Sequence, residues 1–247
     1  MKAMVLAAGL GTRLRPLTDE RPKALVEVNG RTLLEIAIAR LREFGVREVI
    51  VNVHHFADMI VEYLEERRNF GLRVEISRED DLPLDTGGGL KKAAWFFLAE
   101  GSDEPFLLHN VDVLSNIDLG QMVKVHQERQ ALATLAVQQR NSSRQLLFDE
   151  NGLLCGRHFE KEKRTELVRQ ADPLTPLAFC GIHVISPRLL EMIAEDGAFS
   201  IIETYLRVAA GDERIAAFRA DEYYWRDLGT VESLKQAGED MKGMHRS

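Results

Sequence analysis

The chain predicts an α/β fold built on a mainly parallel sheet covered on both faces. Three observations carry this expectation. Apolar strand-like runs and amphipathic helix-like runs alternate through the first half. The first apolar run breaks into glycines, as a strand does where it meets a ligand-binding turn. The 247 residues suffice for one large α/β domain with a substantial core.

Met4-Val5-Leu6-Ala7-Ala8 reads as a buried strand, followed by Gly9-Leu10-Gly11-Thr12-Arg13 and, further on, Pro22-Lys23. The glycines let the backbone turn sharply, so that several N–H groups converge on an anion. Arg13 and Lys23 bring two cations to the same mouth, which suits a triphosphate. Leu34, Ala37, Ile38, Leu41 and Phe44 recur at helical spacing, and Gly45 ends that helix before the strand Glu48 to Val53. Phe56, Ile60, Tyr63 and Leu64 mark a second helix; Gly71 then leads into a strand from Leu72 to Ser77. A third helix is expected to begin inside Gly87-Gly88-Gly89 and to run through Phe97. Pro105 to Leu108 is a buried strand that stops at His109-Asn110-Val111-Asp112.

The second half is less regular. Ala133 to Val137 and Gln145 to Phe148 read as strands, with Asp149-Glu150-Asn151-Gly152 as the turn before Leu153-Leu154-Cys155. Glu160-Lys161-Glu162-Lys163-Arg164 reads as a solvated loop. Leu177 to Ile185 is a strand, and Pro187 to Ala194 and Phe199 to Ala209 are helices. No linker, repeat or low-complexity tail interrupts the chain. One domain over residues 1–247 is expected.

Two familiar phosphate loops are excluded. The P-loop spacing and its Lys-Ser or Lys-Thr are missing. The dinucleotide fingerprint fails because Leu14 replaces its third glycine and Val53-His54-His55 supplies no ribose acid, which disfavours a nicotinamide dehydrogenase. The formal net charge of −7 leaves no basic surplus for a nucleic-acid backbone. No run approaches the roughly 18 apolar residues of a membrane span. Cys155 and Cys180 lie in apolar strand-like segments, as reduced core residues of a cytoplasmic protein would.

Two acids could hold a metal. Asp112 follows a strand on the same edge as the glycine turn if the two strands are parallel, and Asp227 is fixed between Trp225 and Gly229-Thr230. Mg²⁺ needs only one or two carboxylates beside phosphate oxygens and water. For either Asp alone, a helix cap or turn role competes.

At this point the residues match a family. Gly9-Leu10-Gly11-Thr12-Arg13 with Pro22-Lys23 resembles the nucleoside-triphosphate loop of the sugar-1-phosphate nucleotidylyltransferases. Leu84-Asp85-Thr86-Gly87-Gly88-Gly89 is similar to their nucleobase loop. Val111-Asp112-Val113 and Trp225-Arg226-Asp227-Leu228-Gly229-Thr230 resemble their two metal segments, and Phe179-Cys180-Gly181-Ile182 their sugar-backing strand. The order holds to about residue 235. The short chain and triple glycine look most like the N-acetylmuramate-1-phosphate uridylyltransferase branch.

The resemblance implies a three-layer αβα Rossmann-like nucleotidyltransferase fold with a mixed, mainly parallel central sheet, its nucleotide-binding half at 1–115 and its sugar-phosphate-binding half at 116–240. It implies an Mg²⁺-dependent transfer of a nucleoside monophosphate, from UTP first, to a sugar 1-phosphate, with release of pyrophosphate. Arg13, Lys23 and Asp112 carry the catalytic roles. Leu6, Ala8, Gly9, Gly11, Thr12, Arg13, Lys23, Gly87 and Gly88 would hold the nucleotide, the last two leaving room for the base. Asn110, Gly181, Glu160 and Lys161 would hold the sugar, with Glu162-Lys163 as an alternative pair. Asp112 and Asp227 would hold the metal. His109 would contact the ribose or a neighbouring loop, and the other histidines are structural. The chain would act as a monomer or small homo-oligomer, with no nucleic-acid or membrane partner.

Three departures bear on that assignment. Val111 stands where the family carries Gly, and a β-branched residue restricts the backbone beside the phosphates. The Glu-Lys pair is duplicated. Asp80, Asp81 and Asp85 make the base loop acidic, which opens the choice of base. A guanylyltransferase acting on mannose 1-phosphate and a non-catalytic sensor of sugar nucleotides are the competing readings.

Overall fold

A computed structural model describes residues 1–99, 101 and 103–244. The chain runs β1 (Lys2–Leu6), β2 (Glu27–Val28), β3 (Arg31–Thr32), α1 (Leu33–Glu43), β4 (Glu48–Val53), α2 (Ala57–Glu66), β5 (Arg73–Arg78), α3 (Asp85–Lys92), α4 (Ala94–Leu98) and β6 (Phe106–Asn110). It continues through β7 (Val113–Ser115), α5 (Leu119–Glu128), β8 (Ala133–Gln138), β9 (Arg144–Phe148), β10 (Leu154–Phe159), β11 (Arg164–Leu167) and β12 (Thr175–Ile185). It ends with α6 (Arg188–Glu191), α7 (Ile201–Ala210), β13 (Ile215–Arg219), β14 (Trp225–Asp227) and α8 (Val231–Met244).

One ten-stranded sheet organises these elements, in the order β11-β10-β9-β12-β6-β1-β4-β5, with β8 and β13 branching from β12. The strands β6, β1, β4 and β5 are parallel. The strand β12 runs antiparallel to β6, β8 and β9, and so joins the parallel part to an antiparallel extension. The sheet is therefore mixed, with mostly parallel central strands flanked by helices.

Side-chain alternation along the central strands feeds two cores. Ala3 and Val5 of β1, with Val49, Val51 and Val53 of β4, join one core beside Ile38, Leu41 and Ile60 of α1 and α2. Met4, Ile50, Phe106 and Leu108 point the other way, toward Leu90 of α3, Phe97 of α4 and Tyr205 of α7. A strand buried on both faces must be apolar at both parities, which is why these strands are near-continuous apolar runs. The three layers follow.

Helix boundaries are set by local chemistry. The Thr32 hydroxyl accepts from the Glu35 amide at 3.0 Å and starts α1, and Gly45 at φ +100 ends it. Asp118 caps α5 by accepting from the Gln121 amide at 3.0 Å. That helix was not anticipated, because its apolar positions Leu119, Met122, Val123 and Val125 are few and interrupted by Gly120. The third expected helix begins two residues early, at Asp85, and is broken at Ala93 into α3 and α4. The strand β6 extends through Asn110, so His109 and Asn110 belong to the sheet. The helix after Pro187 is shorter than expected and ends at Glu191. Among the described residues, no helix is long and apolar enough to cross a membrane.

Candidate active site

A cleft of about 570 Å³ opens at the carboxyl ends of the parallel strands, where open α/β sheets bind ligands. Each central strand delivers a wall residue: Leu6 at the end of β1 and Ala8 beyond it, Asn52 from β4, Glu79 just past β5, and Asn110 at the end of β6 with Val111 and Asp112 beyond it. Gly9, Gly11, Thr12 and Lys23 complete the side under β1.

The glycine turn is shaped as a nest. Gly11 sits at φ +65, and a β-carbon there would meet Thr18 Cγ2 at 2.9 Å and Lys23 Cβ at 3.0 Å. Backbone conformation and Lys23 packing both demand glycine at that position. A β-carbon on Gly9 would meet nothing within 4 Å and would project into open space. Among the described residues, the amides of Ala8, Gly9, Leu10 and Gly11 donate to no protein acceptor. They are free to receive an anion.

Charge enters as two pairs. Lys23 Nζ donates to Asp112 Oδ2, with both side chains largely covered. Arg13 Nη2 lies 3.7 Å from Asp227 Oδ1, and Asp227 also accepts from the Gly229 amide at 3.0 Å. The strand β14 pairs with β7, which sets Asp227 opposite Val113, the residue after Asp112. The Leu228 amide then donates to the Asp112 carbonyl at 2.7 Å. Residues far apart in sequence thus meet on adjacent strands, and glycine at 229 leaves room for the Arg13 guanidinium 2.4 Å from where its β-carbon would be.

Sequence reasoning missed Asn52 and Glu79, which form a buried polar hub in the cleft wall. Asn52 accepts from the Ala7 amide at 2.7 Å and donates to Glu79 Oε1 at 2.7 Å, while Glu79 Oε2 accepts from the Leu84 amide at 2.7 Å. The hub ties the exits of β1, β4 and β5 to the loop that enters α3. The signal lay in polar residues interrupting apolar strand ends, where an unpaired group would be costly.

Two sets of expected residues lie outside the cleft lining. Gly87 and Gly88 do not line the cleft. A β-carbon on Gly87 would stand 2.2 Å from the Phe199 ring, and one on Gly88 would stand 2.3 Å from the Gly197 carbonyl. Both amides donate to the Phe199 carbonyl, at 2.9 and 3.4 Å. These glycines make room for the 197–199 segment, and Asp85 and Thr86 face the cleft in their place. Glu160 and Lys161 lie with Glu162 and Lys163 in the exposed turn between β10 and β11, outside the cleft wall. A tight hairpin carries them to the solvent edge of the antiparallel extension.

The remaining expected residues fall together. Asn110 lines the cleft with a buried, unpartnered Oδ1. Gly181, at φ +73, lies beside it; a β-carbon there would meet Asn110 Nδ2 at 2.8 Å. Val111 is 4% exposed and packs into the core, and its amide donates to the Leu6 carbonyl at 3.1 Å.

His109 lies within β6 and off the cleft wall. Burial pushes its imidazole down to about 4. Cys155 and Cys180 are free and buried, and burial pushes the Cys180 thiol up to about 12. Such thiols are inert at neutral pH.

The chain is 36% identical to an N-acetylmuramate alpha-1-phosphate uridylyltransferase of Caulobacter vibrioides, covering 92% of this chain and 91% of the relative. It is 30% identical to the protein of the same name from Neisseria meningitidis, covering 96% of both. The fold matches HddC of Yersinia pseudotuberculosis in complex with GMP-PN, with TM-score 0.77, 21% identity and coverage of 97% and 99%. The Nucleotidyl transferase family profile matches residues 2–243, and the chain belongs to that family.

Proposed function

We infer that the protein transfers a nucleoside monophosphate from a nucleoside triphosphate, UTP first, to a sugar 1-phosphate. One observation supports this above the rest: a nest of free amides stands beside the Lys23–Asp112 pair at the ends of β1 and β6. A sugar-phosphate oxygen attacks the α-phosphorus, the bond from that phosphorus to the β-phosphate bridging oxygen breaks, and pyrophosphate leaves with the electron pair. The attacking phosphate is already ionised at neutral pH, so no activated side-chain nucleophile is required. The protein supplies position and charge.

In this reading the amides of residues 8–11 and the Arg13 guanidinium hold the β- and γ-phosphates. Lys23 neutralises charge growing at the α-phosphate, and Asn110 with Gly181 orients the sugar. Asp112 and Asp227 fit a divalent cation, because both offer carboxylate oxygens and the β7–β14 pairing sets Asp227 opposite Val113, the residue after Asp112. Mg²⁺ held there would offset phosphate charge that Lys23 and Arg13 leave unbalanced.

The test is a grid of UTP, GTP, CTP and dTTP against several sugar 1-phosphates, scored by pyrophosphate release with Mg²⁺ present. Turnover with UTP is expected; turnover with GTP and mannose 1-phosphate instead selects the guanylyl reading. Tight nucleotide binding with no turnover in any combination would make the protein a sensor and overturn the enzymatic reading.

A further inference from the structure

The strand β12 changes partners midway, and the change is built as a bulge. Thr175 to Leu177 pair with β9, and Ile182 to Ile185 pair with β6. Against β8, Phe179 pairs with Val137 but His183 pairs with Leu135, so β12 spends four residues where β8 spends two. The surplus falls around Cys180 and Gly181, and the ladder is interrupted there. Gly181 passes through φ +73, a region that favours glycine. The bulge brings it against the cleft residue Asn110: a β-carbon at 181 would stand 2.8 Å from Asn110 Nδ2.

Side chains from two other strands hold this bulge. Arg140, just beyond β8, donates through Nη2 to the Phe179 carbonyl at 2.7 Å. Trp225 of β14 donates through Nε1 to the Cys180 carbonyl at 2.7 Å. The two holders also brace each other, since the Arg140 guanidinium carbon lies 3.8 Å from the centre of the Trp225 ring. The Cys180 thiol faces the same guanidinium. Trp225 in turn pairs with Ser115 in the β7–β14 ribbon that carries Asp227.

No ion pair holds Arg140 among the described residues, and its Nε is buried without a hydrogen-bond partner. What the site uses is the shape of the group. A planar, weakly hydrated guanidinium stacks on the indole while its fork still reaches a carbonyl. Lysine can donate but cannot stack as a plane, and glutamine carries no charge to place over the ring.

We propose that Arg140 is a positioning residue for the acceptor sugar phosphate: it fixes the β12 bulge, and with it the seat that Gly181 and Asn110 form in the cleft. The inference rests on the nucleotidylyl-transfer reading above. The nucleotide side of the cleft is built on β1, β4 and the loop entering α3, none of which Arg140 bonds. A slack bulge therefore loosens the acceptor and spares the nucleotide.

The experiment is initial-rate kinetics of Arg140→Gln and Arg140→Lys with UTP and N-acetylmuramate 1-phosphate, or with GTP and mannose 1-phosphate if that is the pair turned over. Arg140→Gln should raise KM for the sugar phosphate about tenfold, as a small misplacement does, while KM for the nucleotide stays within about twofold. Arg140→Lys, which keeps a cation and a donor, should fall between Arg140→Gln and the parent. A merely structural role gives another pattern, in which the loss falls on both substrates together and follows the melting temperature. That pattern overturns the inference, as does a sugar-phosphate KM unchanged in both variants. If Arg140→Gln fails to fold, seen as lost UTP binding in calorimetry, Arg140→Lys decides by the same split. If the parent turns over neither pair, the transfer reading fails and takes this inference with it.

Discussion

Substituting Gly88 by alanine sets two effects against each other. Helix propensity alone favours alanine inside α3 by about 1 kcal/mol. The β-carbon, however, would lie 2.3 Å from the Gly197 carbonyl oxygen and 3.0 Å from Leu84 Cβ. A backbone oxygen cannot swing aside as a side-chain tip can, so the 197–199 segment or α3 must shift. Overpacking of this kind costs about 1–3 kcal/mol. The shift also stretches the bonds from the Gly87 and Gly88 amides to the Phe199 carbonyl. The expected net result is a loss of about 1–2 kcal/mol, or a melting temperature lower by about 2–8 °C for a domain of this size. Urea unfolding with an unchanged slope measures it. Gly238→Ala in α8 is the control, because its nearest contact is the tip of Asn29 at 3.1 Å. A Gly88→Ala protein as stable as the parent would refute the packing role and restore the view that these glycines clear space for a ligand.

Three further outcomes are expected. Lys23→Met removes the cation paired with Asp112, so pyrophosphate release should fall by about two to three orders of magnitude; adding Asp112→Asn should recover stability without activity, and a single variant with full activity would remove Lys23 from the mechanism. Asn52→Asp sets a second carboxylate against Glu79, and should cost about 2–3 kcal/mol at neutral pH by chemical unfolding; no loss would mean the hub is not buried as described. Burial lowers His109 and His126 to about 4 and His183 to about 3, below the unfolded value near 6.5, so the unfolded chain takes up protons first. Stability is then full above about pH 6.5 and falls as the pH drops toward 4, by about 1.4 kcal/mol per pH unit for each histidine. His126→Gln should flatten that slope by about a third in urea titrations, and an unchanged slope would show that His126 is not buried as a neutral ring.

The parallel half was legible because its strands are apolar at both parities and its helices at one period. Glu48 to Val53, for instance, reads the same in sequence and structure. The glycine turn was legible because Gly11, Lys23 and Arg13 each have one strong physical reason to be there. The antiparallel half resisted. Its strands are short, and β10 and β11 carry charged residues on a face that only α7 and each other's side chains cover, so alternation did not separate strand from loop. Gly87 and Gly88 were hard to read for a different reason. A run of glycines says that something approaches closely, and it does not say whether that is a ligand or another stretch of chain.

The Lys23–Asp112 pair in the cleft and the Arg13–Asp227 pair outside its lining explain how the site is kept assembled before substrate arrives. Burying Lys23 alone, or Asp112 alone, would cost several kcal/mol, and each removes that cost for the other. The Arg13–Asp227 pair is far more exposed and contributes little to stability, because solvent screens it. The two pairs therefore differ in what a triphosphate must do to use them. Arg13 can leave Asp227 at almost no cost, so it suits the first capture of the outer phosphates. Lys23 can turn to the α-phosphate only if another positive charge takes over at Asp112. In the proposed reaction a cation held at Asp112 and a phosphate held at Lys23 would each remove the penalty the other meets. In the proposed reaction this coupling keeps the transfer chemistry waiting until both are present.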